Sequence, residues 1–226
     1  MIPHPDRDEL LVPDLGDDKT LRLVKSADGT WEIRGHISYS DGSGPRHVAF
    51  YGRPRNLFLG FNGGGALMNV TGDNVYTILE LTSFVAAYKV PPLPAEPTFL
   101  ISTPTKRNPL PPPNEMLAAE ILIPTPNEQF PTPYLYVSNR NDPSPEGDTI
   151  SIFSIAEDAL DLISEVPTGL NHVRGIEFGG TNSEWLVAGG THGGGVKIFQ
   201  RVEGGMNLKQ VAHDPSVQSP TGFAWL

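Results

Sequence analysis

An opening motif recurs along this chain: a few residues that set a charged or imidazole side chain into an apolar strand. Its clearest form is Pro45-Arg46-His47-Val48-Ala49-Phe50, and related openers fall at residues 118–124, 171–178 and 219–226. Behind the opener at 118 come two more strand-like stretches, 134–138 and 149–154, then a weaker one at 160–166. The last two intervals between openers are roughly 50 residues, the period of a four-stranded propeller blade. In a propeller the opening strand of each blade lines the central channel. The polar residues of the openers should therefore converge on one funnel.

The composition agrees with many short strands. The 24 Gly and 23 Pro among 226 residues, without low complexity, suit tight turns between strands. No helical period is sustained, and no apolar run is long enough to span a bilayer. The formal charge of −10 argues against nucleic acid and anionic membranes as partners. It leaves room for a small anionic substrate, because a few arginines in a funnel reverse the local potential. With no Cys there is no disulfide scaffold, no thiolate zinc site and no Cys nucleophile. The N-terminal residues show no secretory h-region, so a cytoplasmic location is expected. The sequon Asn69-Val70-Thr71 is then expected to go unused.

Read in order, the first blade has strands at 10–14, 20–24 and 31–37, with its opening strand missing before Met1. The second opens at 45–50 and continues at 75–80, 83–90 and an outer strand at 99–102. Residues 51–74 are too long for a hairpin loop and read as an inserted segment: functional, disordered or a retained intron. Proline-rich 91–97 and 109–113 read as extended connections at the rim, with recognition by an SH3-type domain as a minor alternative. The third blade occupies 118–166. The fourth has strands at 171–178, 185–188, 196–200 and 208–212, and 219–226 follows as a further opener. The expected fold is thus all-β, one partial propeller domain over 1–226 with three to four blades of antiparallel strands.

The order of several short motifs resembles one family. His4-Pro5-Asp6 followed by Leu11-Val12-Pro13-Asp14-Leu15-Gly16, the strand Gly44-Pro45-Arg46-His47-Val48-Ala49-Phe50, and the turn Glu80-Leu81-Thr82-Ser83 are similar to segments of the fungal lactonase family. Ser138-Asn139-Arg140 and Ser219-Pro220-Thr221-Gly222-Phe223 also have counterparts there. Those proteins are seven-bladed propellers that include 6-phosphogluconolactonase-like proteins and carboxy-cis,cis-muconate cyclases, so this chain would correspond to the C-terminal part. The resemblance implies a reaction without metal or cofactor, at a site built from a His, two Arg and a Glu. Arg46, Glu80 and Arg140 match the two arginines and the glutamate. The histidine would fall just before Met1, and His4 is shifted from its place.

The chemistry fits those residue types. Arginine holds carboxylates by two-point contacts and stays charged. Arg46 and Arg140 would clamp a carboxylate and stabilise developing negative charge. Glu80 or a histidine would deliver a proton if its pKa is raised. Glu120, a carboxylate among small apolar residues, and His172 and Arg174, which share strand parity, are candidate substrate contacts. Each has a plainer reading as an ion-pair partner or a solvated rim residue. His47, next to Arg46 on an alternating strand, should point the other way, into blade packing. Asp17-Asp18 reads as a turn rather than a cation site, and residues 189–195 as a tight loop between strands rather than an anion nest. The expected function is a cofactor-free lactonase or lactonising cyclase acting on a small carboxylate or lactone. A non-catalytic binding propeller and a truncated, inactive family member are the alternatives.

Overall fold

The computed structural model describes residues 1–51, 73–109, 115–156 and 159–225. The insert expected at 51–74 falls almost wholly outside them, as do its glycine triplet, the sequon and most of the 109–113 proline run. The described residues form four four-stranded antiparallel sheets, each made of strands consecutive in sequence. Blade one is β1 (Ile2–Pro3), β2 (Glu9–Asp14), β3 (Lys19–Lys25) and β4 (Trp31–Ser38). Blade two is β5 (Pro45–Tyr51), β6 (Asp73–Leu79), β7 (Phe84–Val90) and β8 (Thr98–Pro104). Blade three is β9 (Leu117–Leu122), β10 (Tyr134–Arg140), β11 (Thr149–Ala156) and β12 (Ala159–Pro167). Blade four is β13 (Asn171–Gly179), β14 (Trp185–Gly193), β15 (Gly195–Val202) and β16 (Asn207–Asp214).

The core lies between the blades, not inside one sheet pair. On β10 the side chains of Leu135 and Val137 join a cluster with Ala49, Tyr76, Ile78 and Val85 of blade two. The alternate residues Tyr134 and Tyr136 join Val173, Leu186 and Phe199 of blade four. Period-two alternation thus serves two neighbours at once, which is why all seven residues of β10 are buried. A third cluster joins Leu11 and Ile37 of blade one to Val48, Val75 and Val90 of blade two. By contrast, β4 and β16 are exposed along most of their length.

Polar ties lock neighbouring blades. Arg22 on β3 is fully buried, pairs with Glu9 on β2 at 2.6 Å, and donates to the carbonyls of Pro91 at 2.7 Å and Ala95 at 3.3 Å. The proline-rich segment 91–97 is therefore pinned across blade one, and Leu93 lies over Gly35, where a Cβ would come within 2.9 Å of it. Asp148 accepts from the backbone N–H groups of Asp142 at 2.7 Å and Val173 at 2.9 Å, tying blade three to the start of β13. Asp18 does the same for blade two, accepting from Gly42 at 2.7 Å and Gly44 at 2.8 Å. Its carboxylate is thereby committed to backbone, as the turn reading required.

Three expectations are corrected. Blade one has an opening strand: Ile2 and Pro3 pair with Leu11 and Leu10. Two residues, one of them a proline, are too short to give any alternation. Residues 219–225 form no strand. They nevertheless run along β13, with Trp225 so close over Gly179 that a Cβ there would meet its ring at 2.0 Å. Phe223 and Pro220 crowd Gly189 in the same way, with a Cβ there at 2.6 and 2.7 Å. Finally, the glycine-rich stretch is mostly strand: β14 continues to Gly193, and only Gly194 separates it from β15.

Candidate functional site

Glu80 immediately follows β6, and Arg140 ends β10, the second strand of the next blade. Arg46 lies on the inner strand β5, whose start pairs with the end of β6. Arg46 Nη1 donates to Glu80 Oε2 at 2.7 Å, and Arg140 Nη2 donates to Glu80 Oε1 in a short contact. Each carboxylate oxygen thus holds one guanidinium. Glu80 and Arg140 are buried, and Arg46 is largely so. Burial alone would raise the Glu80 pKa, but the two arginine hydrogen bonds outweigh it and hold the carboxyl below its ordinary value. Glu80 is therefore an anion between two cations, and a poor proton donor. The Nε atoms of both arginines are buried without a hydrogen-bond partner among the described residues.

The far side of Arg140 meets an imidazole. His172 Nε2 lies 3.5 Å from Arg140 Nη1, and its Nδ1 lies 2.8 Å from Asn141 Oδ1. Asn141 Nδ2 donates to the Glu115 carbonyl at 2.8 Å, which fixes the amide so that Oδ1 faces the ring. Nδ1 then carries the proton, and Nε2 accepts. His192, from the glycine-rich end of β14, stacks on His172 with centroids 4.0 Å apart. Burial, then His192 and Arg140, lower the His172 pKa and keep the ring neutral at physiological pH.

Glu120 and His47 form a second pair. His47 Nε2 lies 3.7 Å from Glu120 Oε2, with the two side chains 37% and 22% exposed. His47 was expected to turn away from the funnel. A bulge between Pro45 and His47 breaks the alternation of β5, so His47 reaches the same polar cluster as Arg46. Glu120 Oε1 accepts the N–H of Ile121 at 3.2 Å, leaving Oε2 toward the histidine. Burial raises the Glu120 pKa to about 7. Burial, then Arg46, lower that of His47 to about 4.

The shared parity expected for His172 and Arg174 is lost at two irregularities of β13, and His172 itself has φ of 62°. Arg174 is exposed and close enough to act electrostatically on both His47 and His172, yet it makes no ion pair among the described residues. His4 sits elsewhere, in the loop after β1, bonded to Asp6 and Arg7 and edge-on to Phe50. Among the described residues no group of three or more His, Cys, Asp or Glu is arranged to hold a metal ion. The structure thus brings Arg46, Glu80, Arg140 and His172 into one cluster and sets Glu120 beside His47. His192, hidden in a glycine run, carried no signal in the sequence, and His47 was expected to face the other way.

Four consecutive four-stranded antiparallel blades, with charged groups clustered at and beside their inner strands, define a partial β-propeller. The chain belongs to the family described as Lactonase, 7-bladed beta-propeller, whose model matches residues 1–225. Solved structures share the fold. A proposed 6-phosphogluconolactonase from Bacteroides uniformis ATCC 8492 matches with TM-score 0.73 and 21% identity, over 97% of this chain and 55% of that one. One from Bacteroides fragilis NCTC 9343 matches with TM-score 0.71 and 20% identity, over 98% and 55%. The periplasmic gluconolactonase PpgL of Pseudomonas aeruginosa matches with TM-score 0.71 and 18% identity, over 97% and 54%. The chain thus spans about half the length of these structures. No curated protein matches the sequence significantly.

Proposed function

We propose that the funnel binds a small anionic lactone and hydrolyses its ring ester. The observation that carries this reading is a local reversal of charge. In a chain with a formal charge of −10, Arg46 and Arg140 share one carboxylate, and Arg174, without an ion pair among the described residues, acts on the neighbouring His47 and His172. Two guanidiniums on one carboxylate leave a net positive charge where an incoming carboxylate or phosphate would be steered. Membership of the lactonase family supports the reaction class.

The chemistry asked of the site is modest. A water oxygen attacks the lactone carbonyl carbon and gives up a proton. Negative charge collects on the carbonyl oxygen, where an arginine stabilises it. The ring C–O bond then breaks, and the leaving oxygen takes a proton. The product is a hydroxy acid, which ionises at neutral pH. The clamp contributes binding and charge stabilisation; Glu80 keeps both guanidiniums in place.

A second reading runs the ring chemistry in the direction of closure. Two arginines suit an unsaturated di- or tricarboxylate of the muconate type, whose carboxylate would add across a double bond to form the lactone. No cofactor enters either proposal, and the partner in both is a small anion rather than nucleic acid or membrane. Among the described residues no helix is long and apolar enough to cross a membrane.

The test is turnover of a panel containing gluconolactone, 6-phosphogluconolactone and 3-carboxymuconate. Hydrolysis of 6-phosphogluconolactone in preference to the neutral gluconolactone, lost in Arg46→Ala and Arg140→Ala, supports the first reading. Consumption of the muconate alone supports the second. Inertness toward all, with a protein partner captured on the blades, would favour a binding propeller.

A further inference from the structure

We propose that Glu120 and His47 are the proton-transfer pair of this funnel, Glu120 as the acid and His47 as the base. The proposal rests on the lactonase reading and supplies what the arginine clamp lacks. The clamp offers positive charge and one anion, and neither guanidinium nor a doubly paired Glu80 exchanges protons readily near neutral pH.

The geometry is specific. Both residues lie on inner strands, β5 and β9, of adjacent blades. Glu120 Oε1 is used by the Ile121 N–H, and that bond requires an acceptor. The carboxyl proton therefore belongs on Oε2, the oxygen that faces His47 Nε2 at 3.7 Å. That separation exceeds a direct hydrogen bond, yet it is short enough for one water or reacting group lying beside the pair to touch both atoms. The charged groups acting on Glu120 are Arg46 on β5, Glu177 on β13 and the Met1 ammonium at β1, with His47 opposite. Burial outweighs them, so the acid stays protonated to near neutrality. His47 stays a neutral base well below that pH.

The step balances. His47 Nε2 takes a proton from the attacking water as its oxygen bonds to the lactone carbonyl carbon. When the ring C–O bond breaks, the leaving oxygen takes the proton of Glu120. The proton on the imidazolium then passes to the Glu120 carboxylate, restoring both groups. The proton of the new carboxylic acid goes to solvent.

The test uses the whole chain with 6-phosphogluconolactone and gluconolactone, alongside carboxyl ¹³C NMR titration. Glu120→Gln should lower kcat by about 10²–10³-fold with KM changed less than about threefold, and Glu120→Asp should restore part of it. Wild-type kcat/KM should fall above about pH 7, and this limb should vanish in Glu120→Gln. His47→Gln should slow turnover comparably. In the titration one carboxyl should change state near neutral pH, and its signal should be absent from Glu120→Gln. The proposal is overturned if Glu120 titrates near the ordinary value of about 4.3, or if Glu120→Gln keeps kcat and its pH profile. A wild type inert toward both lactones would overturn the lactonase reading and the catalytic role together. The NMR titration would still decide separately whether the buried acid exists.

Discussion

Glu80 of blade two and Arg140 of blade three meet across the boundary between the blades, and Arg46 closes the bridge from the inner strand. The three side chains act as one unit. Breaking it by Glu80→Gln leaves two guanidiniums facing each other with a neutral amide in place of their shared carboxylate. A buried pair broken on one side costs about 3 kcal/mol or more. Urea unfolding should show a loss of that order. Added phosphate or citrate should recover more stability in Glu80→Gln than in wild type, because an anion replaces the missing carboxylate. Equal anion responses in the two proteins would count against the charge reversal.

Arg22 makes a different demand. It is fully buried against Glu9 and holds the carbonyls of Pro91 and Ala95. Arg22→Ala removes the closer cation from the Glu9 carboxylate, leaving it to Arg7 at 3.6 Å, and frees the 91–97 connection. The expected cost is about 3–5 kcal/mol, seen as a lower urea midpoint. Arg22→Met combined with Glu9→Leu should recover much of it, since matched apolar groups remove the uncompensated charge. Failure of the double variant to exceed Arg22→Ala would mean that the two backbone carbonyls dominate.

Residues 219–225 can be checked optically. The Trp225 ring covers Gly179, so Gly179→Ala must push it aside. The chain has three tryptophans, and replacing Trp31 and Trp185 by Phe isolates the signal of Trp225. In that background Gly179→Ala should shift the emission to the red as the indole moves into water. An unchanged spectrum would place Trp225 elsewhere in solution.

These sites show what the sequence could reveal and where it fell short. Blade three was readable almost residue by residue, because strands buried on both faces carry dense apolar pattern, as in Tyr134–Arg140. The clamp was readable only through family motifs: nothing local says that Glu80 and Arg140, 60 positions apart, share a hydrogen bond. His47 was misjudged because alternation assumes an unbroken strand, and a one-residue bulge reverses the parity. His172 and Arg174 were paired by the same assumption and separated by the same kind of fault. Ile2–Pro3 gave no signal because two residues have no period. Residues 219–225 read as a strand from composition, yet nothing among the described residues pairs with them as one.

Glu120 supplies the most direct link between site chemistry and stability. Its pKa is raised by burial from 4.5 to about 7, so the folded chain holds its proton where the unfolded chain has released it. Stability must then decline as pH rises across that window and level off above it. Glu120→Gln cannot ionise and escapes the decline. Near pH 4 it should match wild type to within a few tenths of a kcal/mol. At pH 8 it should be the more stable by about 2 kcal/mol, allowing for solvent at the partly exposed side chain. Urea unfolding at the two pH values measures this directly. A constant difference between the proteins would show that Glu120 is ionised in the fold at neutral pH and cannot serve as its acid.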